Sequence, residues 1–172
     1  MRLPSTDNRG SLKIFILNIR SLPKHKGELM AYLSNFKPFD ILVFIEIGRR
    51  NIDTVCNHFE DYQFFFELPV NNDRGGVAVY VNSEVSQVHI LEELKLKRMC
   101  QCLKCQFESI SINFNYADAK YTVFAIYRHP KGNIQHFLNS LEDSLENLDK
   151  ERTWIVTGDI NIDLIRYDDG MY

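Results

Sequence analysis

Apolar residues in this chain fall into short unbroken runs, and several of the runs end on a polar side chain. Leu12 to Leu17, Ile41 to Ile45, Tyr121 to Tyr127 and Thr153 to Thr157 are too short for ordinary helices and predict buried strands. Their exits carry Asn18, Glu46, Tyr127, and Asp159 with Asn161. Tyr62 to Leu68, Val77 to Val81, Gln87 to Leu91 and Cys102 to Ile112 predict four further strands, with a turn cluster from Asn71 to Gly76 leading into Val77.

Helical spacing occurs in two places. Leu29, Leu33 and Phe36 define an amphipathic helix over Lys24 to Phe36, stopped by Pro38. Ile134, Phe137, Leu138, Leu141, Leu145 and Leu148 define a second, with Asn133 as its N-cap and an end near Asp149. The first unit, strand then helix then strand, predicts two parallel strands buried on both faces, which would set Asn18 beside Glu46. The whole order predicts an α/β fold of two packed mixed sheets flanked by helices, with residues 1–11 as a mobile tail and one domain over 12–172.

Composition narrows the class. A chain of 172 residues with 45% apolar and 12% aromatic content can bury a sizeable core. No run reaches the roughly 18 apolar residues of a membrane span, and the opening residues lack a signal peptide's apolar centre. These features predict an intracellular protein, nuclear or cytoplasmic, with no membrane partner. The net charge of −3 excludes a simple nucleic-acid coat, yet leaves room for an enzyme that must carry acidic metal ligands. Of four cysteines, Cys100, Cys102 and Cys105 cluster without a fourth ligand at zinc spacing, so they are expected to be reduced, structural thiols. Lys95 to Arg98 is expected to be a solvated loop.

In an open α/β sheet, ligands gather beyond the carboxyl ends of the strands. Asn18, Glu46, Tyr127, Asp159 and Asn161 would converge there as two carboxylates, two amides and one phenol. That set suits Mg²⁺ and a phosphate ester. Glu46, after five apolar residues, would be costly without a cation or water; a solvated strand end is the plainer alternative. Asn18 could instead cap a turn. Gly158 would allow a close backbone approach to a ligand, and an extended backbone would put Asp159 and Asn161 on one face, with Asp163 on the same face or capping a turn.

Five motifs in order, Asn18-Ile19-Arg20-Ser21, Glu46, Gly75-Gly76-Val77-Ala78-Val79-Tyr80-Val81, Tyr127-Arg128-His129-Pro130 and Gly158-Asp159-Ile160-Asn161-Ile162-Asp163-Leu164, resemble the endonuclease/exonuclease/phosphatase superfamily. More narrowly, they resemble the apurinic-type endonuclease domain of non-LTR, LINE-like retrotransposons. The resemblance implies a DNase I-like four-layer sandwich and a DNA substrate. It implies Mg²⁺, or Mn²⁺ in its place, at Glu46 with Asn18 beside it. Tyr127 would donate to the scissile phosphate, Asp159 would orient or deprotonate the attacking water, and Asn161 would hold a phosphate oxygen or orient its neighbours. A nick with a 3′-hydroxyl would prime a reverse-transcriptase domain in the same longer polypeptide.

The family's closing Ser-Asp-His motif and a further acidic residue on an earlier loop do not occur in these residues. None of the five histidines fits, and His129 stands where the pattern carries proline. The resemblance therefore implies a C-terminally truncated fragment or decayed copy that lacks the last strands and is weak or inactive. Two rivals stand beside it: a dead remnant that binds nucleic acid or a partner, and a phosphatase or phospholipase C-type enzyme of the same superfamily.

Overall fold

The computed structural model describes residues 11–50, 59–69, 74–91, 107–146 and 148–163. Cys100, Cys102, Cys105, the Lys95 to Arg98 stretch, residues 71–73 of the turn cluster and the start of the predicted Cys102 strand lie outside them.

Eight strands and two helices follow in the order β1 (Ile14–Asn18), α1 (Leu22–Leu33), β2 (Ile41–Ile45), β3 (Tyr62–Glu67), β4 (Val77–Asn82), β5 (Ser86–Ile90), β6 (Phe107–Tyr116), β7 (Ala119–Arg128), α2 (Ile134–Glu146) and β8 (Thr153–Asp159). They build two four-stranded sheets, ordered β1-β2-β4-β3 and β5-β6-β7-β8. Each sheet is mixed: β1 with β2 and β7 with β8 are parallel, and the remaining pairs are antiparallel.

Strand alternation sorts the side chains into layers. Ile41, Val43 and Ile45 from β2, Val77, Val79 and Val81 from β4, and Ile110, Ile112, Val123 and Ala125 from β6 and β7 fill the space between the sheets. The other face of the first sheet buries Leu42, Phe44, Ala78 and Tyr80 with Leu22 and Leu29 of α1. The outer face of the second sheet buries Phe107, Phe124 and Ile126 against Phe137 of α2. The result is the predicted helix, sheet, sheet, helix sandwich. β2 and β4 lie inside their sheet with helix or sheet on both faces, which is why they read as continuous apolar runs.

Three expectations change. β1 is parallel to β2 but is an edge strand, so it is not buried on both faces: Ile16 is 47% and Leu17 36% exposed. Helix α1 starts two residues earlier, with a proline in its first turn, and ends at Leu33. There Ser34 Oγ and Asn35 Nδ2 both donate to the Ala31 carbonyl and end the ladder, leaving Phe36 outside the helix and 47% exposed. Strand β6 runs to Tyr116, beyond the predicted Ile112, and turns into β7 through Ala117 and Asp118, both at positive φ (47° and 63°). Two successive left-handed residues give the tight hairpin twist that matches the strands. Helix α2 begins as predicted, with Asn133 Oδ1 accepting the His136 N–H at 2.9 Å.

Candidate active site

Register brings the site together. β7 pairs with β6 so that Tyr127 faces Glu108, and with β8 so that Tyr127 faces Asp159. Glu108, Tyr127 and Asp159 thus form one row across the end of the second sheet, on the face turned toward the first. From the first sheet, Asn18 closes β1 and Glu46 follows β2 directly. The Asn18 Nδ2 donates to Glu46 Oε1 at 2.9 Å and to Asp159 Oδ2 at 3.2 Å. One side-chain amide therefore links carboxylates from opposing sheets.

The loops around this point are stitched to one another and held in unusual conformations. Ile19 N–H donates to Ile45 O, Leu22 N–H to Ile47 O, and Gly48 N–H to Gly75 O. Arg20, Ser21, Glu46 and Asn161, four of the seven non-glycine residues at positive φ among the described residues, lie here. Such φ values persist only where surrounding contacts over-determine them, and they concentrate at functional sites. Gly75 is required for a local reason: a Cβ there would lie 3.0 Å from Tyr127 Cε1 and 3.1 Å from Glu108 Oε2. The Gly75-Gly76 turn packs directly on the phenol ring, and Gly76 N–H donates to Glu108 Oε2 at 3.3 Å.

Tyr127 is 3% exposed. Burial, reinforced by the charges of Glu46, Glu108 and Asp159 and opposed by Arg74, pushes its phenol up to about 12. The hydroxyl is a proton donor throughout the neutral range. His129 is pushed below the ordinary imidazole value by burial and by the charge of Lys131, with Arg128 and Arg74 adding to it against Glu46. Its Nδ1 accepts the Lys131 N–H at 3.3 Å, so the neutral ring carries its proton on Nε2.

Two expectations about the last motif change. Gly158 makes its close approach to strand β7, not to a ligand: a Cβ there would meet the Ile126 carbonyl oxygen at 1.8 Å. The backbone also does not stay extended past Asp159. β8 ends there and Asn161 turns to φ 50°, where its N–H donates to Asp159 Oδ1 at 3.1 Å and its Nδ2 donates to Arg128 O at 2.8 Å. Asn161 is thus tied to its neighbours, while Asn18 bonds Glu46 and Asp159 directly and Tyr127 stands opposite Asp159 in the strand register.

Two residues to which the sequence assigned no role belong to this region. Glu108 is 5% exposed and lies at the inward parity of Ile110, Ile112 and Phe114, a charged residue where the alternation calls for an apolar one. Arg128, 1% exposed, follows a long apolar run directly. Both signals are visible in the sequence.

A cleft of about 840 Å³ opens over Glu46 and Tyr127 and is rimmed by Arg20, Lys24, Arg74 and Lys131. Two carboxylates bridged by the Asn18 amide nitrogen are hard oxygen donors suited to a divalent ion, although among the described residues no group of three or more His, Cys, Asp or Glu is placed to hold one. Mg²⁺ commonly takes one or two carboxylates and completes its shell with water and phosphate oxygens. The residues fit that ion.

No protein-family model matches the chain, and no curated protein matches it in sequence. Solved structures do match in fold. TDP2 from D. rerio, complexed with a single-strand DNA product, superposes with a TM-score of 0.66 at 15% identity, over 92% of this chain and 64% of that one. The endonuclease domain of TRAS1, a telomere-specific non-LTR retrotransposon, gives 0.64 at 14% identity, over 90% and 61%. An AP endonuclease from Archaeoglobus fulgidus gives 0.58 at 21% identity, over 88% and 58%. The chain spans about three fifths of the length of these three. Two mixed four-stranded sheets between helices, matched over nearly its whole length, give this chain a DNase I-like α/β sandwich fold.

Proposed function

We propose that this chain is the Mg²⁺-dependent phosphodiesterase region of a retrotransposon-type endonuclease that nicks DNA. The observation that carries this reading is the Asn18 amide, bonded to Glu46 and Asp159 from opposing sheets. Two carboxylates bridged by one amide, with Glu46 of the pair lining a cleft rimmed by cations, are suited to a divalent ion and a phosphodiester. The similar folds of a retrotransposon endonuclease and of a protein bound to a DNA product support DNA as the substrate class.

Glu46 and Asn18 would hold the ion, which when bound would polarise the phosphoryl oxygen and balance charge developing on it. The chain's own groups do the rest. The Tyr127 hydroxyl, protonated up to about pH 12, donates to a non-bridging phosphate oxygen as negative charge grows there. Asp159 Oδ2, at the end of β8, orients or deprotonates the attacking water. Asn161 accounts for the choice of oxygen: its N–H occupies Oδ1 and leaves Oδ2 to face Asn18. Arg20, Lys24, Arg74 and Lys131 attract the flanking phosphates. In-line attack by water would leave a 3′-hydroxyl, the end a reverse-transcriptase domain in the same polypeptide extends.

The test offers the protein three substrates with Mg²⁺ or EDTA: an end-labelled DNA duplex, inositol phosphates, and phospholipid vesicles. Mg²⁺-dependent scission of the duplex to 3′-hydroxyl ends is expected. Release of phosphate or head groups without DNA scission would favour the phosphatase or phospholipase reading, and no turnover of any substrate would favour a binding remnant.

A further inference from the structure

Among the described residues, Arg128 is one of the largest fully buried side chains, and no carboxylate among them is bonded to it. Its guanidinium donates instead to four backbone carbonyls in two loops. Nε donates to Ile160 O at 2.6 Å, Nη2 to Asn161 O, and Nη1 to Gly132 O at 2.7 Å and His129 O at 3.2 Å. The Arg128 carbonyl in turn accepts Asn161 Nδ2 at 2.8 Å. Burial lowers its pKa while the charge of Asp159 opposes that, and an arginine remains charged at neutral pH.

We infer that Arg128 is the positioning residue of the proposed site, a clamp whose planar fork fixes the Asp159 to Asn161 turn against the loop that follows Tyr127. The argument is geometric. Asp159 leaves β8 and the chain turns at once through Asn161 at φ 50°, a conformation that needs outside support. Ile160 and Asn161 each give their carbonyl to the same guanidinium, so the turn cannot rotate without breaking two charge-assisted bonds. The opposite edge of the fork is anchored on His129 and Gly132, the loop that carries His129 and Lys131 to the cleft. Neither a point-charge ammonium nor an apolar stem reproduces that fork.

The assignment rests on the proposed function only for its rate readout, so the test has two arms. Arg128→Lys and Arg128→Met are compared with the parent by thermal unfolding and by amide hydrogen exchange resolved by NMR. The expected result for Arg128→Lys is exchange of the Asn161 backbone amide and earlier loss of its side-chain amide signals, faster by about tenfold or more, with amides of Val123 and Val156 unchanged. In duplex scission, kcat falls by about 10²-fold while KM stays within about threefold, the signature of a misplaced group whose substrate contacts remain. Unchanged Asn161 exchange in both variants, or a loss shared equally by Val123 and Val156, overturns the clamp. A rise in KM with kcat preserved overturns its part in the reaction. A parent that cuts no DNA defeats the proposed function and leaves the exchange arm to decide the clamp. Should the Met variant fail to fold, the Lys variant carries the test.

Discussion

Replacing Gly158 with alanine probes the strand that delivers Asp159. The residue sits at φ +138°, where a side chain costs about 1–3 kcal/mol in backbone strain alone. The added Cβ would also lie 1.8 Å from Ile126 O, 2.7 Å from Ile126 C and 2.9 Å from Ile126 N, all backbone atoms of β7. No rotamer change relieves backbone against backbone. β8 must therefore move away by more than an ångström near its end, where Gly158 pairs with Ile126 and Asp159 with Tyr127. Losing one or two ladder bonds there adds about 1–2 kcal/mol. The combined cost is about 2–5 kcal/mol, or a Tm lower by roughly 4–20 °C for a chain of this size. Urea titration and thermal circular dichroism measure it. A loss under about 1 kcal/mol, with Tm within about 3 °C of the parent, would refute both the close approach and the strain.

Phe44→Ala removes a fully buried ring that meets Phe15, Phe59 and Tyr80, and should cost about 3–5 kcal/mol in the same urea experiment. The Tyr127 phenol should titrate at about 12 by its ¹³Cζ shift, and Glu108→Gln should move that midpoint toward 10, because one of the flanking negative charges is gone. Since the folded value is raised, this group's contribution is complete below pH 10 and is lost as pH rises from 10 through 12, so stability measured across that window should fall more steeply in the parent than in Tyr127→Phe.

What the sequence makes legible follows the physics of each element. β2 and β4 are covered on both faces, so their apolar runs are continuous and their bounds plain. β1 carries a similar run but stands at an edge, and nothing local to Leu12 to Leu17 tells which strands receive a neighbour on only one side. The end of β6 stayed hidden because Asn113 and Asn115, a residue type depleted in strands, follow Ile112, and because alanine at position 117 is an unusual occupant of a left-handed turn. At the site, Asn18, Glu46, Tyr127 and Asp159 are legible because each ends a strand, and strand ends of this topology meet. Glu108 and Arg128 show in the sequence only as charges where apolar residues are expected; their partners are set by cross-strand register and by carbonyls distant in sequence, which no local pattern encodes.

The central claim is that Glu46 and Asp159, joined through Asn18, form a divalent-metal phosphodiesterase site. Its most direct measurement is nicking of supercoiled plasmid by the purified chain with Mg²⁺, set beside Glu46→Ala and Asp159→Ala proteins shown by circular dichroism to be folded. The account predicts slow, EDTA-sensitive conversion to the open circle by the parent and a loss of about 10²-fold or more in each variant. Nicking that survives both substitutions, or that proceeds equally in EDTA, would contradict it.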